Sequence, residues 1–259
     1  MPDKESLRKK LRSGDISLIF KNVPENIFSA GLELGAGDGF QSSLLQKYVK
    51  KLTATDLEPW SPAIKTDDVA YLPMAASDID RIFGENSLDL IYSSNVLEHV
   101  EDIGDVILKM RKVLKNEGVM IHIMPNINWK ILQYIFFVPS KLRSIRARIF
   151  KTKKDYYDKP GFLDGAKKIP ELFPSSHGGQ VNTFMEFILF SRMFWRRVFE
   201  KKGFEIISIR KLQFHSPYRL GCPEILRKIL AAAGMSTSSA YVLKKKGFDT
   251  TYEKYFKNI

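Results

Sequence analysis

Cysteine is nearly absent: Cys222 stands alone among 259 residues. A single thiol cannot close an intramolecular disulfide or furnish a multi-cysteine metal site, so stapled secreted scaffolds are excluded and a reducing compartment is expected. Long apolar runs are missing as well. The longest, Ile131 to Val138, is interrupted by Gln133 and falls far short of the roughly 20 residues that cross a bilayer. The first residues, Met1 to Lys10, carry no apolar signal core. These absences predict a cytoplasmic protein without a transmembrane span, and no metal site is expected. Internal repeats and low-complexity tracts are lacking too.

What is present is the composition of a globular chain, 44% hydrophobic, 12% aromatic and 27% charged, long enough to bury a sizeable core. Basic residues outnumber acidic ones, 41 to 29, for a net charge of +12. Such a field favours polyanionic partners: nucleic acid, phosphorylated glycans or anionic lipid headgroups. A lysine-rich surface also serves solubility alone, and charge by itself does not choose between these uses.

From Ser29 the pattern becomes regular. An apolar strand Ala30–Leu34 leads through a glycine turn into a helix from about Phe40 to Val49, and Lys51–Asp56 reads as a second strand. Ser87–Ser94 is short and apolar enough for a buried strand. Helical spacing at Val106, Met110, Val113 and Leu114 marks a helix over Gly104–Leu114, and Val119–Met124 is a strand stopped by Pro125. Strands alternating with helices imply parallel pairing through right-handed crossovers. The rhythm breaks between Ile127 and about Thr183, where prolines and glycines accumulate, and returns with a helix Ser191–Lys202, a strand Phe204–Leu212, a helix Pro223–Ala233 and a strand Ser239–Lys245. Residues 4 to 12 suggest a short basic helix.

The turn Glu33-Leu34-Gly35-Ala36-Gly37-Asp38-Gly39 follows a strand and opens into a helix. Glycine there lets the backbone turn tightly and approach a ligand without a Cβ clash, and the helix N-terminus offers unpaired N–H groups. A dinucleotide fingerprint requires a third glycine at the position held here by Phe40, and no Gly-Lys-Ser/Thr follows, so neither a dinucleotide turn nor a phosphate-binding loop of the nucleotide triphosphatases fits. Asp56 ends the next strand, within reach of a ribose diol, where one carboxylate can accept from two hydroxyls. The competing role for Asp56 is a cap on the turn Leu57-Glu58-Pro59.

Four ordered segments, ELGAGDG, ATDLEP, SDIDRIFGENSLDLIYSSNVLEHVED and MRKVLKNEGVMIHIMPN, together resemble the class I S-adenosylmethionine (SAM) dependent methyltransferases, specifically the type 11 group, over about residues 30 to 126. The resemblance implies a Rossmann-like, doubly wound α/β domain with a mostly parallel seven-stranded sheet, an antiparallel last strand and an inserted helical or irregular lid. It implies one domain over 1–259, with the lid at about 127–190. It implies that Glu33, Gly35, Ala36 and Gly37 line the methionine moiety, with Gly39 in the same loop, that Asp56 holds the ribose, and that Leu57 packs on adenine. Asp78 would accept from the adenine amino group with Ile79 beside it, and Asn95 would face the amino and sulfonium end. His99 also matches the family. The Leu-Pro-Phe that usually precedes the strand Ser87–Ser94 is replaced by Arg81-Ile82-Phe83-Gly84, while a displaced Tyr71-Leu72-Pro73-Met74 precedes Asp78, which unsettles the register around Asp78.

Methyl transfer from a sulfonium is an in-line displacement whose activated group belongs to the cofactor, with S-adenosylhomocysteine (SAH) as product, so the protein must chiefly align and exclude water. A hydroxyl acceptor gains from a side chain with a pKa near 7. His99 and His177 are the candidates for that contact, His177 because it lies in the irregular region where this fold builds acceptor pockets; His122, inside a strand, reads as a satisfied structural residue. Residues 129–154 carry eight Lys or Arg and no acid, with apolar residues at three- and four-residue steps. That pattern suits an anionic membrane surface at the inner face of a membrane, or equally a lid with a solvated basic face. The expected acceptor is a small molecule, a glycan or a lipid-linked compound, methylated at oxygen. The alternatives are an RNA methyltransferase, disfavoured because no aromatic-basic RNA module accompanies the charge, and a non-catalytic basic binding module that keeps the fold.

Overall fold

The structure, a computed structural model, describes residues 4–135, 137, 185–214 and 224–257. His177, His215 and Cys222 lie outside these residues, as does most of the 127–190 insertion. The strands are β1 (Phe28–Leu34), β2 (Val49–Asp56), β3 (Val69–Pro73), β4 (Leu88–Ser94), β5 (Leu114–Pro125), β6 (Phe204–Lys211) and β7 (Ser238–Lys245). They form one sheet in the order β3-β2-β1-β4-β5-β7-β6. β3, β2, β1, β4 and β5 run parallel, while β7 is antiparallel to both neighbours. The expected α/β architecture is therefore present, with the last strand slotted between β5 and β6.

The central strands explain their own position. Every residue of β4 (LDLIYSS) is buried, as a parallel strand covered by helices on both faces requires. The helices are α1 (Lys4–Ile19), α2 (Phe40–Leu45), α3 (Ile79–Ile82), α4 (Ile103–Val113), α5 over residues 127–135, α6 (Met185–Leu189), α7 (Arg192–Lys201), α8 (Glu224–Ala232) and α9 (Glu253–Phe256). On one face Ile16, Ile19 and Phe20 at the end of α1 pack with Phe28, Leu45 and Phe256. On the other, Val106, Ile107, Met110 and Val113 of α4 meet Trp195 and Phe199 of α7. The buried positions of α4 fall on one stripe of the 3.6-residue repeat. Asp102 caps α4 by accepting from Asp105 N at 3.0 Å, and Ser191 caps α7 by accepting from Phe194 N at 3.2 Å. Each such cap contributes about 1 kcal/mol.

One strand and several boundaries differ from the sequence reading. β3 was not identified from the residues; it is a five-residue edge strand, half exposed and ending in proline, a residue tolerated at sheet edges and strand ends. α1 runs on to Ile19 instead of ending near residue 12, because Gly14 leaves room for the side chain of Gln213 to cross it. α2 stops at Leu45 rather than Val49, since Tyr48 stacks on Phe20 at 4.6 Å and Val49 pairs with Phe28 in the sheet. The turn-forming residues Asn116-Glu117-Gly118 lie inside β5, where the register against β4 is irregular.

The register fixes the site. Leu34 at the end of β1 pairs with Thr55 of β2 and Ser93 of β4, so Gly35 and Asn95, which follow β1 and β4, and Asp56, the last residue of β2, meet along one edge of the sheet. In doubly wound sheets that carboxyl edge is where ligands bind.

Candidate active site at the carboxyl edge of the sheet

Gly35, Gly37 and Gly39 adopt φ of 71°, 58° and 80°, a region that residues with a Cβ enter at a cost. Two of the three also lack space: a Cβ on Gly35 would strike the side chain of Val96, and one on Gly39 would strike the carbonyl oxygen of Ile64. The loop is held from several sides. Asp56 accepts from Gly37 N at 2.7 Å and from Leu57 N at 2.8 Å, Trp60 Nε1 donates to Gly37 O at 2.7 Å, and Ala36 N donates to Thr55 O at 2.9 Å. From α1, Arg8 pairs with Asp38 at 2.5 Å and Arg12 donates to Gln41, whose Nε2 donates to Tyr92 OH at 2.7 Å.

Beside the loop lies a cavity of about 670 Å³. Gly35, Asp56, Leu57, Asn95 and His99 line it, as the sequence suggested for ligand contacts. The structure sets the other candidates elsewhere. Glu33 is buried beneath the loop, where Ser42 Oγ donates to it at 2.5 Å; burial pushes its carboxyl up to about 7, with Ser42 and Arg12 opposing the shift. Ala36, Gly37 and Gly39 form the turn without contributing to the cavity wall. Asp78 faces outward in an ion pair with Arg81 at 2.7 Å, and Ile79 is fully buried in the core. Met74 to Ser77, the segment just before Asp78, lines the wall instead. That segment leads out of β3, the strand that sequence reasoning missed, so the register around Asp78 could not be placed.

The wall is acidic. Asp56, Glu101, Asp102 and Asp105 all contribute to it, and among the described residues no Lys or Arg does. In a chain of net charge +12, this is a local concentration of acidic groups, offset in part where Lys109 pairs with Asp105 at 2.7 Å, and it favours a cationic ligand. A pyrophosphate would be repelled there, whereas a sulfonium and an ammonium group would be attracted. Asn95, at φ 55° with its N–H on Ile123 O at 2.8 Å, brings the chain after β4 across the cavity, and Leu57 stands 65% exposed at the rim.

His122 is buried in β5 with Nδ1 2.8 Å from Ser93 Oγ, stacked on Phe199 at 5.9 Å, and burial lowers its pKa to about 3. Its Nε2 has no hydrogen-bond partner among the described residues, so the residue is structural, as expected, but only half satisfied. Among the described residues no group of three or more His, Cys, Asp or Glu is arranged to hold a metal ion, and no helix is long and apolar enough to cross a membrane.

Residues 32–122, which span β1 to β5 and the acid-lined cavity, match the family described as the methyltransferase domain, of the type 11 group. Solved structures agree on the fold across nearly the whole chain. A chain of the complex between the Haloferax volcanii Trm112 methyltransferase activator and a methyltransferase gives a TM-score of 0.57 at 12% identity, covering 94% of each chain. A SAM-dependent methyltransferase from Listeria monocytogenes gives 0.54 at 16% identity, covering 91% of this chain and 98% of that one. One from Mesorhizobium loti gives 0.54 at 14%, covering 90% and 100%. No curated protein sequence matches the chain. The residues present fit SAM, the cofactor named for the similar structures: glycine backbone and Asn95 on the wall, a carboxylate at the end of β2, an exposed leucine at the rim, and acidic groups suited to a cationic ligand.

Proposed function

We propose that the chain is a SAM-dependent methyltransferase that methylates oxygen on a small-molecule, glycan or lipid-linked acceptor. The observation that carries this reading is the acid-lined cavity beside a glycine loop at positive φ, with His99 exposed on its wall. The cofactor supplies an activated methyl group when bound. Gly35, Asn95, Asp56 and Leu57 hold and orient it, with Glu33 and the rest of the glycine loop beneath them, and Asp78 with Ile79 fixing the adenine-side turn from behind. His99 positions the acceptor oxygen, and His177, outside the described residues, belongs to the same acceptor side. The region 127–190 forms the lid of this single domain. Its basic part, 129–154, brings the protein to an anionic membrane surface on the cytoplasmic face, where a lipid-linked acceptor would be presented.

The test is transfer from SAM carrying a tritiated methyl group to polar, lipid and RNA fractions of a cell extract, together with flotation on liposomes with and without anionic lipid. Label in the polar or lipid fraction supports the reading. Label confined to RNA establishes the RNA methyltransferase alternative, and SAH binding without any transfer establishes a non-catalytic module. Flotation that does not depend on anionic lipid removes the membrane contact.

A further inference from the structure

Glu98 sits in the 3₁₀ turn Leu97–His99 that follows β4. Its neighbours Asn95, Val96, His99 and Val100 line the cofactor cavity, and Leu97 is anchored in the core at 1% exposure. Glu98 itself does neither. Both of its carboxylate oxygens are buried, and among the described residues no other donates a hydrogen bond to either of them. A carboxyl taken out of water without a partner costs stability and caps or pairs nothing, so its presence there points to a role other than structure. Burial pushes it up to about 8, the range in which a carboxylate becomes a competent base near neutral pH.

Its position gives that role a direction. The cavity is walled by residues at or just past the ends of β1, β2, β3 and β4, namely Gly35, Asp56, Met74 and Asn95, and by no residue of β5. The turn that carries Glu98 packs on β5, the strand that leads into α5. In-line displacement needs the nucleophile across the methyl group from sulfur, so with the cofactor over β1 to β4 the acceptor approaches from the side of β5. The turn that carries Glu98 lies on that side.

We propose that Glu98 is the general base of the transfer and that the acceptor is a neutral alcohol or phenol, an inference that rests on the oxygen-methylating function above. The acceptor oxygen bonds to the methyl carbon while the carbon–sulfur bond breaks, its electron pair leaving on sulfur as SAH forms. The hydroxyl proton passes to the Glu98 carboxylate, which returns it to water after release of product. A cationic cofactor in the adjoining cavity favours the ionised, proton-accepting form. Because both oxygens are covered, the acceptor gains access by displacing a neighbouring side chain, a tightening on binding that catalytic groups often show.

The test uses the full chain with Glu98→Gln and Glu98→Asp. It reads SAH binding by calorimetry, methyl transfer from tritiated SAM to the polar and lipid extract fractions, and the infrared carbonyl band of a protonated carboxyl. The glutamine variant is expected to bind SAH within about twofold of wild type and to lose transfer by about 10²–10⁴ in kcat with KM for SAM little changed. It should also lose an infrared band that wild type shows at neutral pH, and the aspartate variant should regain part of the activity. Transfer by Glu98→Gln within about threefold of wild type overturns the base assignment alone. Loss of SAH binding in both variants makes Glu98 a structural group and overturns it as well. Wild type that binds SAH and labels neither fraction overturns the oxygen-methylating function, and the assignment with it.

Discussion

Gly35→Ala is the sharpest probe of the cofactor loop, because two separable effects act at one atom. At φ 71° an alanine carries the left-handed penalty of about 1–2 kcal/mol. Its Cβ would also meet Val96, with Cβ and Cγ1 at 3.4 Å and Cγ2 closer still, and overpacking of this kind adds about 1–3 kcal/mol. The sum, about 2–5 kcal/mol, has to appear as lower stability, weaker SAH binding or both, at a tenfold change in affinity per 1.4 kcal/mol. Val96→Ala removes the methyl groups in the way at a cost of about 1 kcal/mol, since Val96 is only half-buried. The double variant should therefore recover the steric part and keep the backbone part, a coupling of about 1–3 kcal/mol between the two sites. Urea melts and SAH calorimetry on the four proteins measure it. Wild-type stability and affinity in Gly35→Ala, or strict additivity in the double variant, would refute the reasoning.

Two other substitutions test the site and its support. Asp56→Ala removes an acceptor for Gly37 N and Leu57 N as well as the carboxylate proposed for the ribose; with charged hydrogen bonds contributing about 1.5–3 kcal/mol each, SAH affinity should fall by about 10²-fold or more in a calorimetric titration. His122 stays neutral in the fold down to about pH 3, whereas an unfolded imidazole takes a proton near pH 6.5, so the unfolded state binds more protons and stability is lost as pH falls below about 6.5. Between pH 8 and pH 5 that loss is about 2 kcal/mol for this one group; His122→Phe should flatten the acid limb of urea melts by that amount, and an unchanged limb contradicts a buried neutral histidine.

The parts of this structure that were legible in the sequence are those where one residue type answers one physical need. Gly35, Gly37 and Gly39 mark positive φ, Asp56 marks the end of a strand beside the loop, and the apolar run of β4 marks a strand covered on both faces. β3 was not legible because an edge strand of five residues needs few buried side chains and leaves little pattern. The placement of Asp78 and Ile79 failed for the same reason, since the segment lining the cavity, Met74 to Ser77, is defined by where β3 ends. Glu33 read as a ligand contact and lies under the loop, because burial of a carboxylate beside Ser42 depends on α2 and not on spacing along β1. The acidic wall was hidden in a basic chain: Glu101, Asp102 and Asp105 look like a solvated helix start until the fold turns them toward Asp56. Glu98 carried no signal of its own, for its burial and lack of partners are properties of the packed turn.

Calorimetric titration of the protein with SAH, SAM and NAD⁺ tests the central claim most directly. An acid-lined cavity beside this glycine loop predicts saturable one-to-one binding of SAH and SAM and no heat from NAD⁺. Binding of NAD⁺, or the absence of any binding by SAH and SAM, would contradict it.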